Sequence, residues 1–412
     1  MDIWIWWLTG RMEAVLIAMA IYIVTPALTL EYASLTSRSL GNLMFTLLMI
    51  CLSPLVVSQG YDWSALLIVG SLVAAMWFLI LMTHKLTMQL GIFVAGVMVY
   101  GYGSVIPLII LGAMVPLSII LTKGYYWKVL KGHWDIVTFW NRHLRELDGH
   151  QVYDSKLYYD GTKSMLEKNR IAVGMRGRIE KSLGYNPFIY VVGISLVIGA
   201  ASSPEMRYLG LWVIAVLAWA MLTTFVPYLK AFGEGYKYMK YSAVPAAMLC
   251  GVVMSEVGSS SVYLVFGLAA IISALIIGRS VARRWGVARI CARKGDGGRE
   301  EIIQYIKENE HVDRIGCVSH YNNDAVVYHA RRKVLWGTHH YCFNTMIRDF
   351  YPVFHMPIED VSRKYGLGYW LVDASYVEPS TLGFDSTTIE HKCGLYELHR
   401  AGHMQRAEIE YY

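Results

Sequence analysis

Residues 261–294 read Ser-Val-Tyr-Leu-Val-Phe-Gly-Leu-Ala-Ala-Ile-Ile-Ser-Ala-Leu-Ile-Ile-Gly278, then Arg279-Ser-Val-Ala-Arg283-Arg284-Trp-Gly-Val-Ala-Arg289-Ile-Cys-Ala-Arg293-Lys294. The first part carries no charge, and the second carries six bases and no acid. An uncharged run of that length is what a helix needs to cross a bilayer core about 30 Å thick. A basic strip directly after it is a stop-transfer and topology signal that meets anionic lipid heads. The stretch therefore marks where a lipid-facing chain becomes a water-facing one.

Both sides of that join agree. Of the 412 residues, 55% are hydrophobic and 17% charged, whereas soluble domains carry about 25% charge. Residues 1–122 hold only Asp2, Arg11, Glu13, Glu31, Arg38, Asp62 and Lys85 as charged side chains, while residues 280–412 hold 17 acids and 17 bases. This excludes a disordered chain and an ordinary soluble enzyme. Nucleic acid is not an expected partner, because the excess charge lies in one juxtamembrane strip.

Apolar runs at 12–30, 40–58, 63–83, 86–101, 103–122, 186–203, 208–227, 242–257 and 261–278 predict about nine spans. The first lacks the basic flank and small-residue cleavage site of a signal peptide. The expected organisation is a polytopic α-helical membrane protein with a small C-terminal α/β domain. Its parts are membrane helices in 1–122, an amphipathic aromatic and basic loop in 123–185, and a second helix group in 186–279. A basic linker in 280–298 and a soluble domain in 299–412 follow. Lysine and arginine collect in 123–185, 228–241 and 279–294, which with nine spans fall on one side. That predicts a multi-pass plasma-membrane protein with its C-terminal domain in the cytoplasm.

In the C-terminal domain the periodicity predicts helices at 299–310, Asn323–His329 and Pro357–Tyr365. Strands are expected at Arg314–Ser319, Lys333–Trp336 and Tyr369–Asp373, with a hairpin of Thr387–Lys392 and Leu395–Leu398. No GxGxxG or Walker A sequence occurs. His320, Asp324, His329 and His339-His340 fit no zinc spacing, so no metal site is assigned. The six cysteines show no CxxC spacing. The stretch Trp336–Phe343 stands where α/β sheets expose ligand-binding loops, although a structural loop has the same composition.

Two segments carry candidate site residues. In the long loop, aromatics and bases alternate from Lys123 to His143, as in a helix lying in the membrane interface. His133, Asp135, Arg142, His143 and Arg145 are candidates for contacting an anionic lipid head. Between two spans, Phe232-Gly-Glu234-Gly-Tyr-Lys237-Tyr238-Met-Lys240-Tyr241 places an acid among lysines and tyrosines. It is either a binding cluster or a staple between helix ends.

The second segment, with Ala-Val-Pro245 after it, resembles the Gly-Glu-x-x-Arg-Tyr segment of GT-C-type membrane glycosyltransferases. Lys131-Gly-His-Trp-Asp135, Lys333-Val-Leu-Trp-Gly337, Lys364-Tyr-Gly366, Leu371-Val-Asp373-x-Ser-Tyr376, Thr25-Pro26 and Thr36-Ser-Arg38-Ser-Leu-Gly41 are similar to the same group. The resemblance spans most of the chain, through diffuse motifs. It implies sugar transfer from a polyprenyl-phosphate donor, with Lys237, Tyr238 and Lys240 at the lipid-binding segment. Two departures stand out. Lys237 occupies the usual Arg position and cannot make a planar bidentate contact. The family's catalytic acid sits in a long external loop after its first span, and nothing before Met12 provides one. Asp62 and Glu234 are weak substitutes, so the catalytic residue stays unassigned. The resemblance fixes no cofactor and leaves a divalent metal open. The alternatives are a noncatalytic membrane subunit working with a second chain, or a transporter. Few ionisable residues deep in the spans and no visible internal repeat weigh against a transporter.

Overall fold

A computed structural model describes residues 2–28, 37–57, 63–143, 184–197, 203–257, 260–294, 297–320, 322–337, 344–345, 347–351 and 354–402. The chain divides into two compact units, one of Met1–His133 with Gly174–Arg283 and one of Trp134–Val173 with Arg284–Tyr412. Each is described by itself.

The first unit is helical. Its helices are α1 (Asp2–Thr9), α2 (Met12–Ile23), α3 (Ser37–Val57), α4 (Trp63–Thr83), α5 (Lys85–Tyr102) and α6 (Ile106–Leu121). After these come α7 (Tyr125–Arg142), α8 (Phe188–Val197), α9 (Pro204–Phe225), α10 (Ala243–Val257) and α11 (Ser260–Lys294), with α7 and α11 running on into the second unit. Among the described residues, four stretches are long and apolar enough to cross a membrane: Ser39–Val57, Leu66–Thr83, Pro204–Phe225 and Ser260–Gly286. A fifth would be α6 with α7, bent by 118°. Among the described residues, length and composition thus identify four or five candidate spans, fewer than the nine expected. Helix α2 has 12 residues, about 18 Å at 1.5 Å per residue. Helix α10 has 15 residues and covers nearly all of the expected run 242–257, which is itself short for a span. The first turn of α5 carries Lys85, Thr87 and Gln89, which lowers its hydropathy.

The shorter helices still belong to one core. Ala18, Phe45, Trp77, Val94, Trp212 and Met248 are all fully buried in it. Helix α9 is central, with 61% of its apolar window buried, whereas only 17% is buried in α11. The exposed Leu264, Ile271 and Leu275 of α11 are therefore a lipid-facing surface. Helices α2 and α10 touch closely at Gly251, where any side chain would collide with the Ala14 carbonyl and the Ala18 methyl.

The second unit is a four-stranded mixed sheet covered on both faces. Its strands are β1 (Ile315–Val318), β2 (Tyr369–Asp373), β3 (Ile389–Cys393) and β4 (Tyr396–Arg400), in the order β1-β2-β4-β3. β1 and β2 are parallel, with Ile315 opposite Tyr369, and the remaining pairs are antiparallel. Strand alternation divides the core. Trp370 and Val372 face α14 (Ile358–Tyr365) through Ile358, Val361 and Tyr365. Leu371, Ile315 and Leu398 face α12 (Arg299–Glu308) through Ile302 and Ile306. The short helix α13 (Asn322–Ala325) follows β1 and continues as a π-helical turn, Val326–Ala330. The expected strand Lys333–Trp336 is only a single bridge, Val334 beside Ile315. There the chain leaves the sheet and Trp336 joins Phe139 and Ile347 in a small separate core.

Candidate anion-binding site

Helix α9 stops at Pro227, whose ring fits the first turn of a new 3-10 helix, Pro227–Phe232. Glu234 is extended. A second 3-10 helix, Gly235–Ser242, then runs directly into α10. Gly235 holds this hairpin against α9, because a Cβ there would overlap the Ala220 carbonyl oxygen and the Thr224 hydroxyl. Close backbone approach is thus a condition of the site.

Hydrogen bonds tie the hairpin to its neighbours. The Tyr238 hydroxyl is 2.7 Å from the Phe232 carbonyl and 3.1 Å from Gln89 Oε1. The Tyr241 hydroxyl lies 2.7 Å from Thr87 Oγ1. Asn186 Nδ2 donates to Ser242 Oγ at 2.9 Å. Buried polar groups in a membrane protein need such partners.

The charges are less balanced. Lys237 Nζ is 2.7 Å from Glu234 Oε2, with Glu234 40% exposed and Lys237 22%. Lys240 is 3% exposed and lies 5.3 Å above the Tyr241 ring. Lys85, outside the apolar run of α5, is pushed down to about 8 by burial and by Lys237, which still leaves it protonated at neutral pH. Burial, with Lys85 second, pushes the His133 imidazole down to about 4, so it is neutral. The Nδ1 atom of His133 is buried without a hydrogen-bond partner. Among the described residues, Lys85 and Lys237 thus stand near Glu234 and a buried imidazole nitrogen without a hydrogen-bond partner.

Of the expected site residues, Glu234, Lys237, Tyr238 and Lys240 share this hairpin, and His133 joins them through Lys85. Asp135, Arg142 and His143 belong to the second unit. Asp135 Oδ1 accepts from Asn344 Nδ2 at 2.7 Å, and Arg142 Nη1 donates to Asn344 Oδ1 at 3.2 Å. His143 packs against Phe139 and His355. These three engage protein groups. Asp62 and Arg145 lie outside the described residues. Sequence reasoning missed Lys85 as a site residue, although it is the only Asp, Glu, Lys or Arg between Trp63 and Thr122. Thr87 and Gln89 gave no signal, since polar residues in a first turn are common.

Among the described residues, no three His, Cys, Asp or Glu side chains are grouped to hold a metal. No protein-family model matches the chain, and no curated protein matches its sequence.

Proposed function

We propose that this integral membrane protein seats a phosphorylated lipid headgroup at Lys85, Lys237 and Lys240, and that it is a GT-C-like glycosyltransferase handling a polyprenyl-phosphate-linked sugar. The observation that supports the headgroup is the pair of cations Lys85 and Lys237 beside His133, whose buried Nδ1 has no hydrogen-bond partner among the described residues. A phosphate would offset the desolvation of Lys85 and offer His133 an acceptor or donor. The sugar-transfer part rests on the resemblance at Phe232–Tyr241. The proposed topology has about nine spans, with the shorter helices completing the count, in the plasma membrane and with the C-terminal domain in the cytoplasm.

One observation favours the noncatalytic reading. Glu234 is ion-paired with Lys237, so it acts as a counter-ion and not as a proton acceptor. In that reading a second membrane subunit supplies the chemistry and this chain holds the lipid.

Native mass spectrometry of the protein, extracted gently from its own membrane, tests both. The wild type should carry a polyprenyl-phosphate species, and Lys85→Gln with Lys237→Gln should lose most of it. Glu234→Gln should retain it, because removing a negative charge cannot weaken an anion. A co-purifying second chain with an acidic external loop selects the subunit reading. Bulk phospholipid alone on the wild type sinks the proposal.

A further inference from the structure

In the second unit a cavity of about 300 Å³ opens between the first turn of α14, the turn at Pro379–Phe384 and the end of β4. That volume is at the lower end for small-molecule sites. Ile358, Leu382 and Phe384 supply apolar lining, and Glu359, Arg363 and Arg400 supply charge. The two guanidinium groups are already neutralised. Arg363 Nη1 donates to Asp360 Oδ1 at 3.1 Å, and Arg400 is ion-paired with Glu390.

Glu359 differs. Its Oε1 lies 3.8 Å from where a Cβ on Gly383 would stand, so the carboxylate reaches from the helix across to the facing turn. Among the described residues it has no ion pair or hydrogen bond. The cavity therefore combines an apolar lining with one uncompensated negative charge at its rim. A carboxylate placed this way favours an organic cation over an acid, which it repels, and over a neutral isostere, which can donate a hydrogen bond but adds no ion pair.

We propose that this cavity binds a compact primary amine, with its apolar body against Leu382 and Phe384 and its ammonium group on Glu359. The reading is independent of the lipid site in the first unit. Because Glu359 is exposed, its share of the affinity is limited by solvent.

The test uses the full-length protein in detergent, titrated with benzylamine, benzyl alcohol and benzoate by saturation-transfer NMR. Benzylamine should bind saturably, and Glu359→Gln should weaken it by about two- to fivefold. Benzyl alcohol should bind more weakly than benzylamine, and benzoate more weakly still. Partition of benzylamine into the micelle is common to wild type and variant, so their difference reads the cavity. Phe384→Ala should also weaken binding, and a matching melting curve for Glu359→Gln excludes unfolding. Equal benzylamine binding in Glu359→Gln, a preference for benzoate, or no binding to the wild type would each overturn the proposal.

Discussion

His320 lies 5.0 Å from the ring of Trp336 and 5.8 Å from that of Tyr351, and burial pushes its imidazole down to about 4, with Asp324 pulling the other way. Its folded value lies below the unfolded 6.5, so the folded state resists the proton. Stability is complete above about pH 6.5 and falls as pH drops toward 4, where the loss levels off. At 1.36 kcal/mol per unit, discounted for partial exposure, the loss is about 2 kcal/mol. We expect hydrogen-exchange protection of β1 and β2, corrected for intrinsic rates, to fall across that window and to flatten in His320→Gln. His399, also depressed by burial, adds a slope of the same sign that the variant keeps. An unchanged slope in His320→Gln would assign the effect elsewhere. At this scale the sequence could place Glu234, Lys237, Tyr238 and Lys240 on one short segment because they are contiguous. It could not show that Asp135 and Arg142 meet Asn344, a contact made across some 200 residues of sequence.

The hairpin between α9 and α10 depends on one close approach. Gly235→Ala places a methyl group against the Ala220 carbonyl, which the helix cannot move. We expect a loss of about 1–3 kcal/mol, seen as a lower melting temperature in detergent and weaker retention of bound lipid. Adding Thr224→Ala should not restore it, because the carbonyl remains. Unchanged melting would mean that the hairpin stands off α9. Element types in the second unit were legible where period and length agreed: Tyr369–Asp373 is the expected strand, and Ile358–Tyr365 lies within the expected helix. Lys333–Trp336 misled because its alternation is set by Trp336 turning into an aromatic cluster, not by sheet pairing. Apolar runs located the four candidate spans among the described residues, but composition could not reveal that residues before α10 wind as a 3-10 helix.

At the scale of the whole molecule, the asymmetric distribution of lysine and arginine makes an expectation about sidedness. Protease should remove the C-terminal domain from inside-out vesicles and spare it in right-side-out vesicles, as read by an antibody to 354–402. The reverse pattern would invert the proposed topology and with it the leaflet that supplies the lipid headgroup.

Helix α11 carries a further consequence. From Ser260 to Gly278 it is uncharged, and its first base is Arg279. Those 19 residues rise about 28 Å, close to the hydrocarbon thickness of a bilayer. Since most of this helix faces lipid, little protein packing can fix its depth. It therefore acts as a ruler. In a bilayer thicker by several ångströms, Arg279 would be drawn toward hydrocarbon unless the film thins around it or Arg279 snorkels. The protein should therefore be sensitive to acyl-chain length, with its strongest mismatch at the helix that joins its two units.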